Sequence, residues 1–316
     1  MEVPPSQAST AAGAATLPEP PAGIGRVVTA MITPFDADGA VDLDGAEVVA
    51  DHLVRAGTET LLLHGTTGET STLYHDEPWD LLRVVRSAVA GRATVMMGTG
   101  SNDTGKMLEL TDRANRSGAD SILVVTPYYN RPDQRGLLRY FTQAAAATQL
   151  PVVVYDIPAR TGREIALSTL VELAAIENIV GIKDATGDLG KAGDLAAATA
   201  GAPGGFVCWS GADEVNLPLL SLGAVGVVSV GSHLAGPEIA EMVHAFGTDP
   251  ARARELHLRC LPFFRALFAE ASPAPLKGAM AARGLPAGPV RPPLVDASEE
   301  AVAAVLGALS SIEALR

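Results

Sequence analysis

The 316-residue chain is short of lysine, cysteine and aromatic side chains, and each shortage excludes something. Its two cysteines, Cys208 and Cys260, stand in unrelated contexts, so neither a disulfide framework nor a Cys/His zinc site is expected. No apolar run approaches the ~18 residues that a membrane-spanning helix needs. Lys and Arg total 23 against 36 acidic residues, a formal net charge of −13 with no basic cluster to offset it, so a nucleic-acid partner is not expected. The opening segment, MEVPPSQASTAAGAATLPEPPAG, contains no Lys or Arg and no continuous apolar stretch. It therefore has neither a secretory signal nor the arginines of a transit peptide, and residues 1–22 read as a flexible N-terminal tail. A soluble, cytoplasmic protein is expected, its thiols kept reduced.

From Arg26 onward, short apolar runs alternate with amphipathic or Ala-rich stretches. The runs are RVVTAMITPF, TETLLLHG, ATVMMGTG, SILVVTPYY, PVVVYDIP, NIVGIKDA, GFVCWSG and AVGVVSV. Several are nearly unbroken, the pattern of parallel strands buried on both faces. Between Asp42 and Gly57 the apolar residues Leu43, Ala46, Val49 and Leu53 keep a helical spacing, with a capping residue before and a glycine after. Eight strand–helix units predict an α/β fold, a (β/α)8 TIM barrel, over residues 23–236. A doubly wound sheet would want a Gly-rich phosphate turn after an early strand, and the first strand ends in TPF. Residues 237–316 hold no further strand-like run and read as the last barrel helix plus a C-terminal helical extension. In that extension Asp296 and Glu299 have capping-box spacing.

Four lysines serve the whole chain: Lys106, Lys183, Lys191 and Lys277. Lys106 and Lys191 lie in polar helical stretches and read as surface charges, and Lys277 reads as structural. Lys183 differs, because it ends the strand NIVGIK, which has no polar face. An amine at the mouth of an apolar barrel is partly desolvated, which lowers its pKa and frees a lone pair for a ketone carbonyl. Asp184 follows at once, but side chains alternate along a strand, so its carboxylate is expected on the opposite face.

Schiff-base chemistry also moves protons and needs a holder for a carboxylate. Three of the five tyrosines, Tyr128, Tyr129 and Tyr155, fall at two strand ends. Thr66 and Thr67 occupy a Gly-flanked turn suited to an anion, and Arg160 offers a fork for a second carboxylate. Taken singly, each of these is an ordinary packing residue, turn or surface charge. Convergence at one barrel mouth is what gives them meaning.

The segments TAMITPF, HGTTGETSTL, GTGSND, VTPYYNRP, YDIPARTG, GIKDATGDL, SGADE, GVVSV and SPAPLKGAM, in that order, resemble the pyruvate-dependent class I aldolase family that includes N-acetylneuraminate lyase, and within it the dihydrodipicolinate synthases. The resemblance runs from Val27 to Arg316. It implies a lyase that condenses pyruvate with L-aspartate 4-semialdehyde to 4-hydroxy-tetrahydrodipicolinate, in lysine and diaminopimelate biosynthesis. Lys183 would form the Schiff base, Tyr155 would shuttle protons, and Thr66 would link it to Tyr129, which reaches into a neighbouring subunit. Thr67 would hold the pyruvate carboxylate and Arg160 that of the semialdehyde, while Gly211 and Val228 would line the pocket through their backbones. No metal or organic cofactor is implied, and the implied assembly is a homotetramer, a dimer of tight dimers. Arg160 argues against the alternatives within the family, a sugar-acid aldolase or neuraminate lyase, whose second substrate is a polyhydroxy aldehyde. A silent 2-oxoacid-binding paralogue would have lost the lysine, tyrosine or threonine, and all three are present.

Two departures from the family pattern carry expectations. His64 stands where a small or aliphatic residue is usual and is expected to pack at its strand end. In lysine-inhibited relatives the effector site corresponds to Thr70, Ser71, His75, Pro78, Asn102, Lys106 and Tyr128. Here Pro78 replaces a histidine and Lys106 a glutamate, so lysine is expected to inhibit weakly or not at all.

Overall fold

In the computed structural model, residues 17–314 are described. Eight parallel strands close into a barrel in sequence order: β1 Val27–Ala30, β2 Thr60–Leu63, β3 Thr94–Gly98, β4 Ser121–Val125, β5 Val152–Asp156, β6 Ile179–Asp184, β7 Val207–Ser210 and β8 Gly226–Ser229. Each lies inside one of the apolar runs. Alternation then sorts the side chains into two cores. Val28, Ala30, Leu62, Met96, Leu123, Val153 and Val228 fill the barrel interior. Val27, Leu61, Leu63, Val95, Met97, Ile122, Val124, Val152 and Val154 face the surrounding helices.

The first helix forms where the spacing placed it, at Leu43–Arg55. Asp42 caps it by accepting from the Gly45 N–H at 2.8 Å, and Gly57 leaves the helix at φ 98°, a conformation that suits glycine. Two details of the C-terminal part differ from expectation. The last barrel helix starts at Ser232, ahead of residue 237, and kinks at Ala235 just before Pro237, whose ring cannot follow a regular preceding turn. The helix Glu299–Glu313 is capped by Ser298, whose hydroxyl accepts from the Ala301 N–H at 3.1 Å. Asp296 instead accepts from the Val290 N–H and closes the loop ahead of it. Of the segment read as a tail, residues 1–16 lie outside the described residues. Leu17 packs against the outer core, and Arg26 holds the Pro18 carbonyl and the Glu19 carboxylate.

Strand β6 breaks its own alternation. The pairing with β5 runs from Val152↔Ile179 to Val153↔Gly181, so Val180 is an extra residue, a β-bulge. Val180 faces the barrel interior, and unbroken alternation would send Ile182 inward and Lys183 outward. The bulge reverses the phase, so Ile182 packs among the helices while Lys183 points into the barrel. Gly181 permits this, since a Cβ there would run into the Val207 carbonyl.

Candidate active site

The register of the barrel places the reacting groups before any loop is considered. Tyr155 on β5 pairs with Lys183 on β6, which pairs with Trp209 on β7, so all three share one layer near the strands' C-terminal ends. Lys183 Nζ sits 4.1 Å above the centre of the Tyr155 ring. Both residues are buried, at 6% and 5% exposure. Burial pulls the Lys183 amine down to about 7, with Arg160 adding to the fall and the Asp213 carboxylate opposing it. Burial pushes the Tyr155 phenol well above its ordinary value, against the pull of Arg160 and of a hydrogen bond with Thr66. Near neutral pH the site therefore pairs an amine that gives up its proton readily with a phenol that keeps its own.

A cavity of about 220 Å³ opens over this pair and is lined by Thr66, Tyr155, Arg160 and Lys183 together with His64, Gly65 and Tyr128. Arg160 lies on the helical turn Pro158–Thr161 and is exposed. Among the described residues it has no carboxylate partner, so its fork is open to one from a ligand. The other expected residues, Thr67, Gly211, Val228 and Tyr129, are not among the residues lining the cavity. Thr67 is buried in the turn, next to the exposed Thr66. Gly211 abuts the lysine stem, since a Cβ there would lie 3.0 Å from Lys183 Cγ, and its N–H donates to the Asp184 carbonyl at 2.7 Å. Val228 is packed in the barrel interior, and Tyr129 is 90% exposed, outside the lining of its own chain's cavity.

As alternation required, Asp184 turns away from Lys183 and accepts from the N–H and hydroxyl of Thr186. The carboxylate that acts on the amine comes from Asp213, in the SGADE segment. It is buried and held by the Val230 and Gly231 N–H groups and by Asn216. Sequence reading gave Asp213 no role, although its place at the end of β7 marked it. Lys191, read as a surface charge, is instead bound between Asp156, at 3.0 Å, and Glu164, at 2.7 Å, with its side chain 11% exposed. Its helix packs close enough to reach the buried end of β5, which polarity alone does not reveal. Lys277 is buried in an ion pair with Glu69. Among the described residues no cluster of His, Cys, Asp or Glu has the makings of a metal site.

A second cavity, of about 580 Å³, shares His64, Thr70, Ser71, Gly100 and Tyr128 with the first. His64 packs at the strand end, its Nδ1 against the Gly98 carbonyl at 2.7 Å, and burial lowers its pKa. His75, Pro78 and Lys106 also line this second cavity. Of the seven effector-type positions only Asn102 is outside the lining, where its carbonyl accepts from the Asn130 amide.

Comparison with known proteins agrees with this fold. The model of the dihydrodipicolinate synthetase family matches residues 23–312. The 4-hydroxy-tetrahydrodipicolinate synthase of Moorella thermoacetica is 46% identical over 286 residues, covering 90% of this chain and 97% of that protein. A second such synthase, from Streptomyces coelicolor, is 49% identical over 282 residues, covering 89% and 93%. Among solved structures, the enzyme from Cyanidioschyzon merolae with lysine bound superposes with a TM-score of 0.88 at 42% identity, covering 92% of this chain and 98% of that one. Match length, identity and coverage together leave one conclusion: the chain belongs to the dihydrodipicolinate synthetase family.

Proposed function

We propose that this chain is a lyase that condenses pyruvate with L-aspartate 4-semialdehyde to 4-hydroxy-tetrahydrodipicolinate, through a Schiff base on Lys183. The neutral Lys183 amine adds to the C2 carbonyl of pyruvate, and the carbinolamine loses water to give an iminium. Loss of a methyl proton from C3 then gives an enamine, whose C3 attacks the aldehyde carbon. Tyr155, with Thr66 and the Tyr129 of a neighbouring subunit, carries the protons that these steps release and take up. Thr67 holds the pyruvate carboxylate, with Gly211 and Val228 shaping that end of the pocket. Arg160 receives the carboxylate of the semialdehyde. Finally the amine of the adduct attacks C2 as the ring closes, and Lys183 leaves unchanged.

The observation that carries the reading is the buried Lys183 amine over the Tyr155 ring, in a cavity that also holds Thr66 and an arginine fork with no carboxylate partner among the described residues. The chain works as a homotetramer of two tight dimers, in the cytoplasm. What supports the shared site is Tyr129, exposed at 90% and set at φ 72°, away from its own chain's cavity. Steady-state assays with pyruvate test the second substrate. Aspartate semialdehyde is expected to exceed C4 and C6 sugar aldehydes by at least about 100-fold in kcat/KM, since a sugar leaves the Arg160 charge unanswered. A preference for the sugars overturns the assignment.

Free lysine is expected to leave the enzyme active. Its ammonium group, placed in the second cavity, would face the exposed Lys106 where a carboxylate is needed. Two like charges 4 Å apart repel by about 1 kcal/mol even in bulk water, and more beside protein. Half-maximal inhibition at submillimolar lysine would refute this.

A further inference from the structure

Behind the Gly65–Glu69 turn lies a buried ion pair that takes no part in the chemistry. Lys277 Nζ donates to Glu69 Oε1 at 2.7 Å and to the Pro289 carbonyl at 2.8 Å, and it lies 4.2 Å above the Phe35 ring. The two side chains are 2% and 1% exposed. The second carboxylate oxygen of Glu69 accepts from the Arg291 N–H at 2.8 Å. From there the Arg291 guanidinium continues to the Thr72 carbonyl and to both oxygens of Glu77.

Glu69 sits at φ 54°, a left-handed conformation that a residue with a side chain keeps only where its surroundings hold it. Its N–H donates to the Thr66 carbonyl at 3.0 Å, and the Thr33 hydroxyl donates to the Gly68 carbonyl at 2.8 Å. The turn bearing Thr66 and Thr67 is thus held from behind by the C-terminal extension, from residues more than 200 positions away in the chain. A buried ion pair gives little net stability compared with apolar residues of the same volume, and here its hydrogen bonds to Pro289 and Arg291 hold both side chains in fixed directions.

We propose that Lys277 is a positioning residue: through Glu69 it sets the turn so that the Thr66 hydroxyl meets Tyr155 and Thr67 faces the bound 2-oxoacid. This rests on the Schiff-base reading above and deepens it. The C-terminal extension is then part of the catalytic apparatus without touching substrate.

The test is kinetic. In the full-length enzyme Lys277→Met is expected to lower kcat by about 30- to 100-fold, the range for small misplacement of a relay, while KM for pyruvate moves by less than about threefold. Borohydride should still trap pyruvate on Lys183 in this variant, more slowly. Arg283→Gln breaks the pair with Glu313 just past the same helix, away from the turn, and should leave the kinetics unchanged. Removing one partner of a buried pair endangers folding, so Glu69→Gln, which keeps an oxygen for Lys277, and the double variant Lys277→Met/Glu69→Met are measured beside it. Circular dichroism identifies the folded ones. A folded variant with kcat within about twofold of wild type shows a structural tie only and overturns the proposal. If wild type itself takes up no reduced pyruvyl group, the Schiff-base reading fails first and this proposal with it.

Discussion

Lys183→Met is expected to abolish turnover, with kcat reduced by at least about 10⁴-fold, and to end borohydride-dependent labelling by pyruvate. Wild type should gain one reduced pyruvyl group, located on Lys183 by peptide mass. No other lysine is placed to stand in. Lys191 is bound between two carboxylates, Lys277 is paired with Glu69, and Lys106 faces the second cavity. The variant should fold, because methionine has nearly the volume of the lysine stem and removes an amine that burial already disfavours as a cation. On the proposed reading the same amine sets the pH profile. Its pKa is lowered to about 7, so the protonated, inert form dominates below that pH and the nucleophile above it. kcat/KM for pyruvate should accordingly rise with pH through about 7 and level off about one unit higher. A profile still climbing steeply above pH 9 would mean an amine of ordinary basicity, and a labelled Lys183→Met protein would mean a different nucleophile.

Much of this was legible in the sequence because parallel strands buried on both faces leave an unmistakable pattern. Eight apolar runs gave eight strands, and the polar ends of β2, β4, β5 and β6 gave most of the candidates for the mouth. What stayed hidden depends on geometry that no local pattern encodes. The bulge at Val180 decides that Lys183 faces inward, and it shows only when β6 is laid against β5. Asp213 acts on Lys183 from just past the end of the neighbouring strand β7, and its residue type alone does not say which way it turns. Lys191, read as a surface charge, serves a buried carboxylate, because a partner 35 positions away cannot be inferred from the polarity of a helix. Lys277 is structural as read, though its partner Glu69, 208 positions away, could not be named from sequence. Ser298 takes the cap that Asp296 was expected to hold, and the Asp296 carboxylate instead accepts from the Val290 N–H in the loop.

Tyr155→Phe isolates the proton relay from the binding of the amine. Phenylalanine keeps the ring beneath Lys183 Nζ, so the 4.1 Å cation–π contact and the desolvation that lowers the amine's pKa both persist. What disappears is a hydroxyl that burial holds in its protonated form and that Thr66 engages by a hydrogen bond. Such a phenol works by passing protons, taking one as it gives another, since a free phenolate in that site is strongly disfavoured. Carbinolamine dehydration and C3 deprotonation would each lose their positioned donor or acceptor, so kcat is expected to fall by about 10²–10³-fold. KM for pyruvate should change little, because on the proposed reading its carboxylate is held from the Thr66–Thr67 turn. The adduct should still form and be trapped by borohydride, at a lower rate. That combination, slow turnover with trapping intact and the pH midpoint near that of wild type, separates a relay from a residue that merely packs against the lysine. A kcat within about threefold of wild type would show that water moves the protons, leaving Tyr155 as the floor that keeps the amine dry.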